Sequence, residues 1–228
     1  MYGAINEDTV MKKTSIIGLL LAAVLITAPL AQARNERRDN QSAAGVFDYY
    51  LLALSWSPTF CLTRPNNTQC SGKGYGFVLH GLWPQYDRGG WPQFCAGAAP
   101  LSEAERAQGN ALFVSEQLMK HEWQKHGTCA GLGGAGYFDQ ADKALATVKI
   151  PPALEPSTVS QSLSQAAIVD LFQQANPGLP TDAIAVRCNG PEVSEVWVCM
   201  TKDLAFRACD KGVRKGCRSG DLRVPAVR

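Results

Sequence analysis

The segment HEWQKHGTC, at 121–129, places two histidines, a glutamate and a lysine within six residues. On a helix at about 100° per residue, its ionisable side chains fall within about 140° of one another, on one face. These side chains are His121, Glu122, Lys125 and His126. Trp123 points the other way, so the indole would turn toward the core while the ionisable groups face outward together. Imidazole, carboxylate and ammonium groups can move protons and stabilise negative charge, which makes this segment a candidate acid–base site.

The only other histidine of the chain is His80, in the segment HGLWPQ at 80–85. A short apolar run before it predicts a strand that delivers His80 at its end. Gly81 and Pro84 predict a rigid exit from that strand, and Trp83 offers an apolar or stacking surface beside the imidazole. Two histidines from separate elements suit phosphoryl transfer to a neighbouring hydroxyl, because one can take its proton while the other donates to the leaving oxygen.

Two other interpretations of the histidine cluster stay open at this point. Zinc-protease helices carry His-Glu-x-x-His, whose histidines lie only about 40° apart on the helix. His121 and His126 are five residues apart and diverge by about 140°, which makes chelation from one helix awkward. We therefore expect no metal and no cofactor. The segment could also be only a charged helix end, with Trp83 a core residue, although the small number of histidines weighs against this.

Composition limits the class of protein. The chain has 228 residues, of which 46% are hydrophobic, so it can bury a sizeable core. Its formal net charge of +2 is too small to indicate nucleic-acid binding by itself. The eight cysteines all follow the export signal described below, and their even number favours four disulfides. Sequence alone leaves their pairing open. No Cys-x-x-Cys pair occurs, which argues against a cysteine zinc site.

Residues 1–33 are interpreted as an upstream extension and a signal peptide. Lys12 and Lys13 precede the apolar run 16–26, and Ala-Gln-Ala at 31–33 is a small-x-small cleavage signature. The run is too short for a confident membrane span, which needs roughly 20 residues. We expect a periplasmic or secreted protein with no membrane anchor once the signal is removed.

The remainder, 34–228, is expected to form one α+β domain with a central antiparallel sheet flanked by helices and stapled by disulfides. Strands are predicted over 47–56, 76–79, 183–188, 193–200 and 203–209. Helices are predicted over 102–126, with a possible interruption at 109–110, and over 161–174. Loops are predicted over 58–75, 87–100 and 131–136.

HGLWPQ and HEWQKHGTC together resemble the two active-site segments of the ribonuclease T2 family, in the same order. The resemblance runs from about residue 47 to 217 and is to the exported bacterial branch. It implies an endoribonuclease that cleaves single-stranded RNA with low base specificity, without a metal. The ribose 2′-hydroxyl would attack the adjacent phosphorus, giving a 2′,3′-cyclic phosphate that is then hydrolysed to a 3′-phosphate. DNA lacks this hydroxyl and would not be cleaved.

The resemblance also implies the catalytic roles. His126 resembles the general base and His80 the general acid. Glu122 and Lys125 resemble the groups that assist the base and stabilise the pentacovalent phosphorus, and His121 looks like a phosphate ligand.

Substrate binding, partners and disulfides follow from the same resemblance. Trp83 looks like a substrate-contacting aromatic, and Gln85 stands where other members often carry Asp or Asn, so we expect weak base preference. RNA is the expected substrate, and the protein is expected to be a monomer. The implied disulfides are Cys61–Cys70, Cys95–Cys129, Cys188–Cys217 and Cys199–Cys209. The alternative is an exported RNA- or protein-binding member with little turnover, although all five catalytic positions are kept.

Overall fold

A six-stranded sheet forms the centre of the fold in the computed structural model, which describes residues 43–218 and 220–227. Its strands are β1 (Tyr49–Trp56), β2 (Phe77–Gln85), β3 (Gln161–Ser164), β4 (Ile184–Asn189), β5 (Glu192–Met200) and β6 (Asp221–Val224). They are ordered β2-β1-β5-β6-β3, and β4 also pairs with β5. Every pairing is antiparallel except that of β5 with β6. The predicted α+β class is confirmed.

Five helices surround this sheet in the described part of the chain. They are α1 (Ser57–Thr63), α2 (Glu103–Leu112), α3 (Glu116–Lys125), α4 (Gly133–Thr147) and α5 (Gln165–Ala175). Short 3₁₀ turns lie at Thr68–Cys70, Gly127–Cys129, Pro152–Leu154 and Thr181–Ala183. No helix among the described residues is long and apolar enough to cross a membrane. The predicted signal peptide lies outside the described residues.

β1 explains how the core and the site come to lie on opposite faces of one strand. Tyr50, Leu52 and Leu54 join the main hydrophobic cluster together with residues of the helices. Because successive side chains of a strand point to opposite faces, Ser55 lies on the other face. That residue is the one position of β1 that is not buried.

The predicted interruption of the first long helix at 109–110 is wrong. The capping box of Ser102 and Glu105 starts α2 as predicted, but the helix continues through Gly109 and ends at Leu112. Ser115 then caps α3, its side chain accepting from the Leu118 N–H. Gly109 marks close packing, because a Cβ there would collide with the Met119 and Phe138 side chains.

Four other sequence expectations need correction. The first residues of the segment 58–75, predicted as a loop, lie in α1, and 161–164, predicted as the start of a helix, form β3. Residues 133–136 of the segment 131–136, predicted as a loop, begin α4, whose buried residues Tyr137, Phe138, Ala141 and Ala144 follow helical spacing. The strand predicted over 203–209 is reduced to a single bridge between Met200 and Phe206. The last strand is instead β6, which pairs with β3.

All four disulfides implied by the family resemblance are confirmed. The bonded pairs are Cys61–Cys70, Cys95–Cys129, Cys188–Cys217 and Cys199–Cys209. None of these cysteines is free. Disulfides form and persist in oxidising compartments, which fits the expected export of the chain.

Candidate active site

A β-bulge in β2 sets the direction of the His80 side chain. Ala53 of β1 pairs with Gly81, whereas the next residue, Leu54, pairs with Leu79, so His80 is the extra residue. In a regular strand, residues 79 and 82 would face opposite sides, yet Leu79 and Leu82 both belong to the main core. The bulge therefore turns His80 and Gly81 together to the side away from the core. The predicted strand end at 79 is wrong, because β2 continues through the whole HGLWPQ segment.

α3 brings the second segment against β2. Trp123 is buried in the core as predicted, and His126 caps the helix with its N–H donating to the Glu122 carbonyl at 2.9 Å. The expectation that the ionisable groups all face outward is wrong, because Glu122 and His126 are only 1% and 4% exposed. The helix face that carries them packs against β2 and does not face solvent. His121, with a side chain 54% exposed, is the member that meets solvent.

The Glu122 carboxylate joins the two segments. Its Oε1 lies 3.5 Å from His80 Nε2 and 4.0 Å from His121 Nε2. Its Oε2 accepts a hydrogen bond from Trp83 Nε1 at 2.6 Å. The structure therefore brings His80, Trp83 and His121 to one buried carboxylate. Lys125 lies close enough to act electrostatically on all three histidines.

Trp83 contacts both His80 and His126. Its indole stacks on the His126 ring, with centroids 5.1 Å apart and planes at 27°, and meets His80 edge-on at 5.0 Å. With its N–H fixed on Glu122, the indole holds both rings in place. The sequence predicted a stacking surface beside His80 and a substrate contact for this residue, but not its contact with His126.

Glu195, on β5, is a member of the site that the sequence reasoning missed. Its Oε1 lies 2.5 Å from His80 Nδ1 and accepts from Ser55 Oγ at 2.8 Å, and its Oε2 accepts from Trp197 Nε1 at 2.6 Å. One signal was available, since charged residues are seldom buried without a partner and this one sits in a predicted apolar strand. Its side chain is 16% exposed.

The two histidines that contact Trp83 have pKa values displaced in opposite directions. Burial, with the charges of Lys125, His80 and His121, lowers the pKa of His126 to about 3. Its Nδ1 is buried and has no hydrogen-bond partner among the described residues, which disfavours the charged ring further. Burial also works against charge on His80, but its hydrogen bond and charge interaction with Glu195, with the charge of Glu122, raise its pKa.

The two carboxyl groups differ in the same way. Burial raises the pKa of Glu122, although His80 and the Trp83 N–H offset part of this effect. Burial would also raise the pKa of Glu195, but its hydrogen bonds with His80, Ser55 and Trp197 lower the pKa below its usual value. Glu195 is thus held as a carboxylate. Burial and the nearby Lys125 lower the pKa of His121.

A cleft of about 520 Å³ opens beside His80 and His121. Ser55, Thr59, Gln117 and Glu195 also line it. The structure does not bring Gln85 to this cleft: that residue is 5% exposed, and its amide donates to the Pro84 carbonyl. The described residues contain no group of His, Cys, Asp and Glu side chains that could hold a metal ion.

Comparisons with known proteins agree with this fold. Residues 47–209 match the model of the Ribonuclease T2 family, and the chain belongs to that family. A ribonuclease of Aeromonas hydrophila is 47% identical over 124 residues, which are 54% of this chain and 52% of that protein. A probable ribonuclease of Haemophilus influenzae is 32% identical over 185 residues, which are 74% of this chain and 63% of that protein.

Similarity to solved structures supports the same assignment. The RNase-related protein from Calystegia sepium shares the fold with a TM-score of 0.64 at 26% identity, over 80% of this chain and 98% of that one. The chain thus spans about half to two-thirds of the two sequence relatives and nearly all of this structural one.

Proposed function

We propose that the protein is an RNA endonuclease that cleaves single-stranded RNA by metal-independent transesterification. The observation that carries this proposal is the convergence of His80 and His126 from distant segments onto the indole of Trp83, beside the buried carboxylate of Glu122. The membership of the chain in the Ribonuclease T2 family supports it.

His126 is the general base in this mechanism. A base must be unprotonated to act, and the lowered pKa of His126 keeps its ring neutral at all pH values well above about 3. The ring takes the proton of the ribose 2′-hydroxyl as the oxygen attacks phosphorus. Stacking on Trp83 fixes the plane of the ring during this transfer.

His80 is the general acid. An acid must be protonated to act, and the raised pKa of His80 favours the imidazolium. Its proton passes to the leaving 5′-oxygen, which gives the 2′,3′-cyclic phosphate. When the environments of two groups push their pKa values apart, the group with the higher pKa is commonly the acid and the other the base. Hydrolysis of the cyclic ester to the 3′-phosphate reverses the two roles.

Three further residues act beside the proposed acid and base. Lys125 and His121 supply positive or hydrogen-bonding groups that stabilise the pentacovalent phosphorus. Glu122 assists the base and, through its contacts with His80, His121 and Trp83, holds the two segments together.

Substrate binding is proposed at Trp83 and in the cleft beside His80 and His121. We expect low base specificity. A contact between Gln85 and a base of the substrate remains a prediction. DNA lacks the nucleophilic 2′-hydroxyl and is not a substrate.

The cellular setting is part of the same proposal. Residues 1–33 act as an upstream extension and signal peptide, and 34–228 form the catalytic domain. The mature protein is periplasmic or secreted, monomeric and without a membrane anchor. Four disulfides support an oxidising destination.

The test compares three single-stranded oligonucleotides of one sequence, made of RNA, DNA and 2′-O-methyl RNA, in excess EDTA. We expect cleavage of the RNA alone, with 2′,3′-cyclic phosphate ends detected by mass spectrometry. A His126→Ala variant, purified in parallel, should lose activity by several orders of magnitude and so excludes a contaminating nuclease. Activity that disappears with EDTA and returns with zinc, or cleavage of the 2′-O-methyl strand, would contradict the proposal. Binding of RNA without cleavage would favour the binding-protein alternative.

A further inference from the structure

Glu195 lies outside the two active-site segments, 115 residues from His80, yet it touches the proposed acid directly. Its two oxygens meet three donors, from His80, Ser55 and Trp197. Ser55 reaches it from the neighbouring strand β1, and Trp197 comes from the same face of β5. Donors on three sides fix the plane and the rotation of this carboxylate.

We propose that Glu195 is a positioning residue for His80, holding the ring by its Nδ1–H so that the proton exchanged in catalysis is always the one on Nε2. This inference rests on the proposed role of His80 as the acid. A carboxylate can only accept a hydrogen bond, so the neighbouring ring nitrogen must carry the hydrogen. His80 then keeps one tautomer in its neutral form, with Nε2 free to receive a proton.

The negative charge of Glu195 has one counterion among the described residues. Ser55 and Trp197 are neutral donors, so they satisfy hydrogen bonds without cancelling charge. Arg187 faces Glu195 across the strand pair, but its guanidinium lies 4.4 Å from the centre of the Trp197 ring and donates to the Lys215 carbonyl. Within the described part of the chain, the only ion pair formed by Glu195 is with His80. The charge of this carboxylate on β5 therefore acts mainly on the His80 imidazole.

Other charged groups also face His80. Glu122 approaches Nε2, on the side of the ring opposite to Glu195. Lys125 and His121 belong to the same helix as Glu122, and His126 follows at its C-terminus. Glu122 adds to the effect of Glu195, whereas Lys125 opposes it.

Removing the charge of Glu195 should shift one limb of the pH–rate profile. A general acid must be protonated, so activity falls as pH rises through its pKa. Glu195→Gln keeps the shape of the side chain and removes its charge, which lowers the pKa of His80. We expect the alkaline limb of kcat/KM to move down by about one pH unit, with the acid limb unchanged. Glu195→Ala should lower kcat by at least about tenfold, with a smaller change in KM.

The experiment titrates the histidine rings by NMR and measures the pH–rate profiles of wild-type protein, Glu195→Gln and Glu192→Gln. Glu192 lies on the same strand and pairs with Arg223, so it is a matched control and should leave both readouts at wild-type values. The chain has only three histidines, and His80→Ala assigns the relevant signal. The expected result is a fall in the His80 pKa together with the alkaline-limb shift, in Glu195→Gln alone.

Two results would overturn the positioning role. One is loss of activity in Glu195→Gln with a lower melting temperature and an unchanged His80 pKa, which would mean that Glu195 only supports the fold. The other is movement of the acid limb, which would mean that His80 is not the acid. Failure of the proposed function is seen separately, as wild-type protein that yields no cyclic phosphate ends.

Discussion

Gly81 is the residue that allows the two active-site segments to touch. A Cβ at this position would collide with Glu122 Oε2 and Trp83 Nε1, the two atoms joined by the hydrogen bond between the segments. The backbone of Gly81 adopts no positive φ, so space rather than conformational freedom requires the glycine. The missing side chain lets a buried carboxylate lie against the strand.

We expect Gly81→Ala to separate activity from folding. The added methyl group displaces Glu122 and Trp83, and displacement of site groups by about 1 Å can cost roughly 10²-fold in rate. kcat on an RNA oligonucleotide and the melting temperature are the two measurements. Gly136→Ala in α4, where the nearest neighbour is a single Leu132 side-chain atom at 3.0 Å, is the matched control and should keep its activity. Unchanged kcat in Gly81→Ala would show that the segments do not need this close contact.

At this scale, the sequence predicted the residues of the two segments but not their partners. His80, Glu122 and His126 could be identified because their types and local spacing are visible in the chain. Glu195 stands out only as a charged residue in an apolar strand. Its contact with His80 could not be predicted, because that contact depends on strand pairing and on a bulge that leaves no local pattern in the sequence. Burial of Glu122 and His126 was missed for the same reason, since it depends on which element α3 covers.

Among the elements, the turn after α3 is the one most directly tied to the site. The Cys95–Cys129 disulfide joins it to the loop that follows β2. The Phe94 N–H donates to the Lys125 carbonyl at 2.9 Å, and the Cys95 N–H donates to Thr128 Oγ1 at 3.1 Å. This loop therefore holds the C-terminal end of α3, where the proposed base lies.

Removal of this disulfide should lower activity as well as stability. We expect the Cys95→Ala/Cys129→Ala variant to lose about 2–4 kcal/mol of unfolding free energy and to show a lower kcat, because His126 is no longer held. The Cys199→Ala/Cys209→Ala variant is the control, since that disulfide packs on Tyr49 and does not line the cleft. It should lose stability but keep most of its kcat. Urea unfolding and RNA cleavage below the unfolding transition are the measurements, and equal kcat losses in both variants would contradict this assignment.

Element boundaries were harder to predict where glycine and proline stand inside regular structure. Gly81 and Pro84 indicated the end of a strand, yet β2 is the outermost strand of its end of the sheet and tolerates a proline there. The glycines at 133, 134 and 136 indicated a loop, yet they begin α4. Gly134 fits because a Cβ there would collide with Leu101 and Glu105. Such tertiary packing leaves no periodic signal.

For the whole molecule, the site exists only when distant parts of the chain have paired. His80 comes from β2, Ser55 from β1, Glu195 from β5 and Glu122 from α3. β1 lies between β2 and β5 in the sheet, so the order of the strands sets the distance between proposed acid and positioning carboxylate. Four disulfides within this domain stabilise that arrangement.

Processing is the prediction that belongs to this scale. When the full chain is expressed in a bacterium with its own leader, we expect the protein recovered from the periplasm or the medium to begin at Arg34, as measured by intact mass. Replacing both Ala31 and Ala33 with arginine should block cleavage, since the signal requires small residues there. Replacing Ala43 and Ala44, downstream of the site, serves as the control. A protein that stays in the cytoplasm with its N-terminus intact would contradict the export proposal.

The bulge in β2 has an effect beyond the chemistry of its histidine. An outermost strand carries unpaired backbone groups that can recruit a strand from another molecule and start aggregation. The extra residue at His80 interrupts the regular spacing of those groups, and Pro84 lacks an N–H altogether. We therefore expect the distortion that directs the imidazole also to disfavour pairing of this sheet edge with a strand of another molecule.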